Sequence, residues 1–187
     1  MTTVRTALGL LACLALAPAP AAAQDADSPG WQNDSFRLAY KGSAVKRDER
    51  GVFRPAESVF SAPTADRAGV AFTCYNGKLT ALVLMESMDV RQTLRDGVRA
   101  RRAKNARPTF TFDGEAEPSE PWLQLHSLDV LRAGRFKATA DLYNAVLRGS
   151  AVSMEWRGTD YPITLPPVDD TFRNFGGECG VGRHRKR

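Results

Sequence analysis

Cys74 and Cys179 constrain this chain more than any other pair of residues, because they are the cysteines that remain once a leader is removed. Met1 to Ala23 carries one cation, Arg5, then an apolar run from Ala7 to Leu16, then Ala21-Ala22-Ala23 ahead of Gln24. That order of charged, apolar and small-residue regions is the pattern of a secretory signal peptide. Cleavage after Ala23 discards Cys13, and export carries the other two thiols to a compartment where disulfides form and persist. The expected location is the periplasm or outside the cell. A bridge from Cys74 to Cys179 would close more than half of the chain into one loop, worth about 4–5 kcal/mol on the chain-entropy model. A domain of this size has a total stability of roughly 5–15 kcal/mol. The tie would matter. The rival reading of the leader takes Leu10-Leu11-Ala12-Cys13 as a lipobox, which would make Cys13 an acylated N-terminus. No transmembrane segment is expected after cleavage, since the leader's apolar run falls short of ~20 residues and runs into Pro18 and Pro20.

The expected organisation is a signal peptide over 1–23, a small polar lead-in over 24–30, one β-rich domain over 31–180 and a basic tail over 181–187. The whole chain has a formal net charge of +5, unevenly spread. Arg95, Arg99, Arg101, Arg102, Lys104 and Arg107 crowd one segment, Asp113, Glu115, Glu117 and Glu120 follow as an acidic block, and Arg183 to Arg187 is basic. Such blocks are ordinarily solvated surface. The sharper reading makes Arg99, Arg101, Arg102, Lys104 and Arg107 a contact patch for an anionic envelope polymer or an envelope protein partner. Nucleic acid is not expected, because no aromatic residue interleaves with these arginines to stack on bases.

Short β-rich runs separated by turn signals dominate the rest. Phe36 to Tyr40 alternates like a strand, and Val52 to Ser61 can hold another. Gly69 to Tyr75 and Lys78 to Met85 are apolar runs joined through Asn76-Gly77, the strongest hairpin signal in the chain. Thr109 to Phe112, Trp122 to Leu125, Val152 to Trp156 and Tyr161 to Leu165 complete the strand candidates. Phe136 to Arg148 reads as a helix, with an apolar stripe and Gly149 at its end. Val168 to Phe175 reads as a helical turn or two, with Asp169-Asp170 as its N-cap pair. The arginine-rich stretch 91–107 has Val90, Leu94, Val98 and Arg102 at four-residue intervals, yet Gly97 interrupts a thin apolar face, so it reads equally as helix, loop or extended hairpin. The expected fold is an antiparallel β-sandwich or barrel with one helix near the C-terminus and one disulfide.

Catalytic motifs do not emerge. The histidines are His126 and His184, and no Gly-x-Ser-x-Gly elbow accompanies them. There is no H-x-x-x-H and no paired C-x-x-C, so neither a metal site nor a cofactor is expected. Asp113, Glu115 and Glu117 alternate and would line one face of a strand, although they match no EF-hand spacing. Trp122, Trp156, Tyr75, Phe110 and Phe112 are core candidates first and a sugar platform second.

Cys74-Tyr75-Asn76-Gly77 opening a hairpin, Phe110 to Gly114 leading to Pro121-Trp122, the helix Ala140 to Leu147 and a late phenylalanine-rich turn reaching Cys179 follow a recognisable order. Over about 69–179 it resembles the periplasmic accessory proteins associated with type VI secretion and related uncharacterised proteobacterial envelope proteins. The resemblance implies a non-enzymatic envelope protein with a bridged β-sandwich. The expected function is therefore an exported accessory or binding protein. The alternative is a periplasmic hydrolase of cell-wall or polysaccharide substrate, working through His126 or the carboxylates of Asp113 and Glu117.

Overall fold

The computed structural model describes residues 30–36, 56–75, 77–85, 89–99, 103–118, 120–125 and 128–179, with side chains at 95–99 and 178 left aside. The expected leader with Cys13, His126, His184 and the basic tail lie outside these residues. So does most of the expected Phe36–Tyr40 strand, of which Phe36 alone is described.

Among the described residues, eleven strands fall into two antiparallel sheets. The larger has the order β1 (Gln32–Phe36), β2 (Ala56–Phe60), β3 (Gly69–Tyr75), β4 (Lys78–Leu84), β9 (Val130–Ala133), β8 (Trp122–Leu125), β5 (Ala103–Ala106). The smaller has the order β11 (Thr159–Ile163), β10 (Val152–Trp156), β6 (Thr109–Phe112), β7 (Glu115–Ala116). The Asn76-Gly77 hairpin forms with Tyr75 opposite Lys78, and Gly77 takes the left-handed conformation that such a turn demands, φ 69°. Pro162 sits in β11, an edge strand, where its missing amide leaves no sheet hydrogen bond broken, and its carbonyl accepts from the Ala68 amide.

Alternation along β3 sends Val70, Phe72 and Cys74 to one face of the large sheet, and Ala71, Thr73 and Tyr75 to the other. The first face carries the main core. Helix α2 (Phe136–Arg148), helix α3 (Asp170–Cys179) and the small sheet all contribute to it. Phe72 is fully buried there, 5.3 Å from Tyr143 and 5.8 Å from Phe172 between ring centroids, both edge-on. The second face is covered by helix α1 (Val90–Arg99), whose Val90 and Leu94 join Phe60, Leu82, Leu84 and Leu125 in a smaller apolar cluster. Of the stretch 91–107, the described residues thus form a helix to Arg99 and strand β5 from Ala103, in place of an extended hairpin. A thin stripe suffices because only that stripe meets the sheet, and Asp89 caps the helix by accepting from the Gln92 amide at 3.1 Å.

The C-terminal helix is longer than its sequence signal, reaching Cys179. Asp169 caps it, accepting from the Phe172 amide at 2.8 Å. Its far end carries the bridge to β3: Cys74 and Cys179 are disulfide-bonded, with Cα atoms 5.6 Å apart. Helix α2 ends at Gly149, φ 69°, whose amide reaches the Ala145 and Val146 carbonyls. A side chain there would strain the left-handed conformation. Gly149→Ala is expected to cost about 1 kcal/mol, read from the urea unfolding midpoint at unchanged m-value. Among the described residues no helix is long and apolar enough to cross a membrane.

Candidate functional site

Where β9 stops short of the end of β4, the large sheet leaves a groove of about 370 Å³. The strands set its floor by register. Tyr75 lies opposite Lys78, Thr73 opposite Thr80, Leu82 opposite Arg132, and Arg132 opposite Leu123. Directly opposed residues share a face, so Leu82 and Leu123 give an apolar floor between the hydroxyls of Thr73, Tyr75 and Thr80 and the Arg132 side chain. Thr73 donates from its hydroxyl to the Thr80 carbonyl at 3.4 Å. Beyond the last β4–β9 pair, the Ala81 amide is met by the Thr139 hydroxyl of α2 at 3.2 Å.

The rim depends on Gly134. Its amide bonds the Pro121 carbonyl at 3.0 Å, and a Cβ on it would stand 2.7 Å from that same oxygen. Only glycine allows so close a turn from β9 into α2. The turn delivers Arg135 and Phe136 to the groove's edge, where Phe136 is 72% exposed. Arg135 is the N-cap residue of α2 and supplies no side-chain hydrogen bond to the first-turn amides. Those amides carry the positive end of the helix dipole. Lys78, Arg132 and Arg135 therefore line one cavity, and among the described residues no carboxylate lines it. Lys137, next along the helix, is otherwise engaged. Its ammonium bonds Asp141 at 2.6 Å and lies 3.8 Å from Glu117, and the Asp141 bond holds it above its usual pKa.

The wall of this groove is tied to the disulfide. Thr73 and Tyr75 flank Cys74 on β3, pointing away from the core into which Cys74 points. The covalent link to α3 thus holds the strand that presents them.

The residues singled out from the sequence are distributed differently. Cys74 and Cys179 meet as expected. Arg101, Arg102 and His126 lie outside the described residues, as does the side chain of Arg99. Lys104 is exposed on the edge strand β5, and Arg107 is exposed just beyond it. Neither reaches the groove. The acidic trio does not share a strand face. Asp113 occupies the β6–β7 turn at φ 51°, and its carboxylate accepts from the Ala151 amide at 2.8 Å. The reason is the Asp113-Gly114 turn, which interrupts the alternation that a continuous strand would have kept. Trp122 and Phe110 are core residues stacked 5.0 Å apart, whereas Trp156 and Tyr75 are only half-buried.

Sequence reasoning missed Lys78, Arg132 and Arg135 as a set. Lys78 stands more than fifty positions from the other two, and only the β4–β9 pairing joins them. Among the described residues no group of three or more His, Cys, Asp or Glu is placed to hold a metal ion. The groove's chemistry is charge, hydroxyl donors and one exposed aromatic ring, which suits recognition of an anion with an apolar part. Comparison with protein-family models, curated proteins and solved structures finds no match to this chain.

Proposed function

We propose that this chain is an exported binding protein of the cell envelope that holds an anionic polymer in the groove between β4, β9 and α2. The observation that carries the reading is that Lys78 and Arg135 line one cavity in which, among the described residues, no carboxylate faces them. An envelope compartment follows from the leader pattern and agrees with the Cys74–Cys179 bond. The polymer's charges lie against Lys78, Arg135 and the α2 amides, while its apolar portion covers Leu82, Leu123 and the ring of Phe136. Arg99, Arg101, Arg102, Lys104 and Arg107 form at most a second, more diffuse attraction that raises encounter rate.

Titration calorimetry with oligogalacturonate and with inorganic polyphosphate tests this and separates carboxylate from phosphate ligands. Lys78→Ala and Arg135→Ala are each expected to weaken binding about tenfold, the loss for a charge-assisted contact worth roughly 1.5 kcal/mol. Affinity is expected to fall steeply as added salt shortens the screening length, with a shallower slope in each variant. Lys104→Ala with Arg107→Ala is expected to leave affinity within about twofold. Salt-independent binding, or loss of binding in that control alone, would refute the proposal.

A further inference from the structure

The two sheets part at one margin and leave a second cleft, of about 290 Å³, lined by Met85, Gln124, Asp129, Trp156, Arg157 and Tyr161. It lies on the disulfide-bearing side of the large sheet, because Gln124 follows Leu123 on β8 and points the opposite way. The volume is at the small end of the ~300–1,000 Å³ typical of small-molecule sites.

Its construction starts with the turn between β10 and β11. Trp156 pairs with Thr159, so the loop holds two residues, Arg157 and Gly158, at φ 55° and 76°. Glycine, asparagine and aspartate favour that geometry, whereas an arginine in it costs on the order of 1 kcal/mol. The side chain offsets the strain through two contacts. It donates to the Gln124 side-chain oxygen at 2.7 Å, and its guanidinium carbon sits 5.2 Å from the centroid of the Trp156 ring. These contacts link the small sheet to the large one and fix three planar groups. Tyr161 is a diagonal neighbour of Trp156 on the same face, since Met154 opposes Tyr161. Both rings are half-buried where the sheets separate. On the other wall Asp129 is exposed, and its backbone carbonyl accepts from the Met85 amide at 3.0 Å.

We infer that this cleft binds a neutral pyranose. Among the described residues its lining offers one cation and one anion, which cancel, so a net charge on the ligand gains nothing there. Vicinal hydroxyls both donate and accept, and the site matches them with the Arg157 and Gln124 donors and the Asp129 acceptor. A sugar ring also has an apolar C–H face, which suits the half-exposed rings of Trp156 and Tyr161. A nucleotide's phosphates would meet Asp129 at close quarters, and an acyl chain would leave the polar groups desolvated and unpaired.

Saturation-transfer NMR together with tryptophan emission tests the site, using methyl glucopyranoside, methyl galactopyranoside, N-acetylglucosamine and methyl glucuronate. At least one neutral sugar is expected to bind saturably with a change in tryptophan emission, and the glucuronate is expected to bind no better. Arg157→Gly relieves the left-handed strain and gives up the Gln124 and Trp156 contacts that offset it, so its melting temperature is expected to stay close to that of the parent, while sugar affinity falls at least tenfold. Asp129→Asn is expected to weaken binding as well, and Lys78→Ala to leave it unchanged. The absence of saturable binding by every sugar overturns the inference. So does undiminished affinity in both Arg157→Gly and Asp129→Asn, or loss of affinity in Lys78→Ala.

Discussion

Reduction of the Cys74–Cys179 bond is expected to lower the unfolding free energy by about 4–5 kcal/mol, because the bond spans 105 residues of sequence and releases that much chain when broken. For a domain of this length, each kcal/mol moves the melting temperature by roughly 2–4 °C. A fall of about 10–20 °C on adding a reductant, or in Cys74→Ser with Cys179→Ser, is therefore expected by calorimetry. A change below about 1 kcal/mol would mean that the unfolded chain gains little freedom from cleavage, against the loop-entropy account. The effect should extend to the groove. Freed from α3, β3 holds Thr73 and Tyr75 less firmly, so affinity for the anionic probe is expected to fall under reduction at temperatures where the domain stays folded.

Phe72→Ala should be nearly as costly. Phe72 is fully buried and lies within 6.1 Å, centroid to centroid, of Trp31 as well as against Tyr143 and Phe172. Truncation removes a large apolar surface and leaves a cavity bounded by three rings that cannot all collapse into it. The expected loss is about 3–5 kcal/mol from transfer and cavity terms together. Phe72→Leu keeps most of the volume and is expected to cost about 1–2 kcal/mol, mainly the edge-on ring contacts. Urea denaturation of both variants checks the ordering; a negligible loss in Phe72→Leu would show that the aromatic geometry contributes nothing beyond volume, and equal losses would show that the retained volume recovers nothing. In the reduced protein, Phe72→Ala is expected to leave little stability, since the two losses together reach about 7–10 kcal/mol against a total of roughly 5–15.

The parts of this fold legible in the sequence are those fixed by local or covalent rules. Asn76-Gly77 specifies its hairpin because few residues tolerate the turn, and Phe136 to Arg148 forms a helix because its stripe and terminal glycine agree. The cysteine pairing was legible because reading 1–23 as a cleaved leader sets Cys13 aside. Strand β5, Ala103–Ala106, was not, since its half-exposed and exposed residues show little alternation and it exists by pairing with β8. Helix α1 was ambiguous because its stripe is narrow, although Asp89 ahead of Val90 was an available capping signal. The groove was the least visible. A dense run of arginines between 95 and 107 draws attention, yet density along a chain is not density in space. Lys78 and Arg132 come to line one groove through the pairing of β4 with the distant β9, and Arg135 joins them because Gly134 permits the turn into α2.

Amide chemical-shift mapping of the isotope-labelled protein, titrated with oligogalacturonate at low salt, tests the central claim most directly. The account predicts shifts concentrated at Thr73, Tyr75, Lys78, Thr80, Gly134 and Phe136 in the oxidised protein, saturating together and fading as salt is added. Shifts confined to residues 95–107 and 181–187, with the groove amides unmoved, would contradict it.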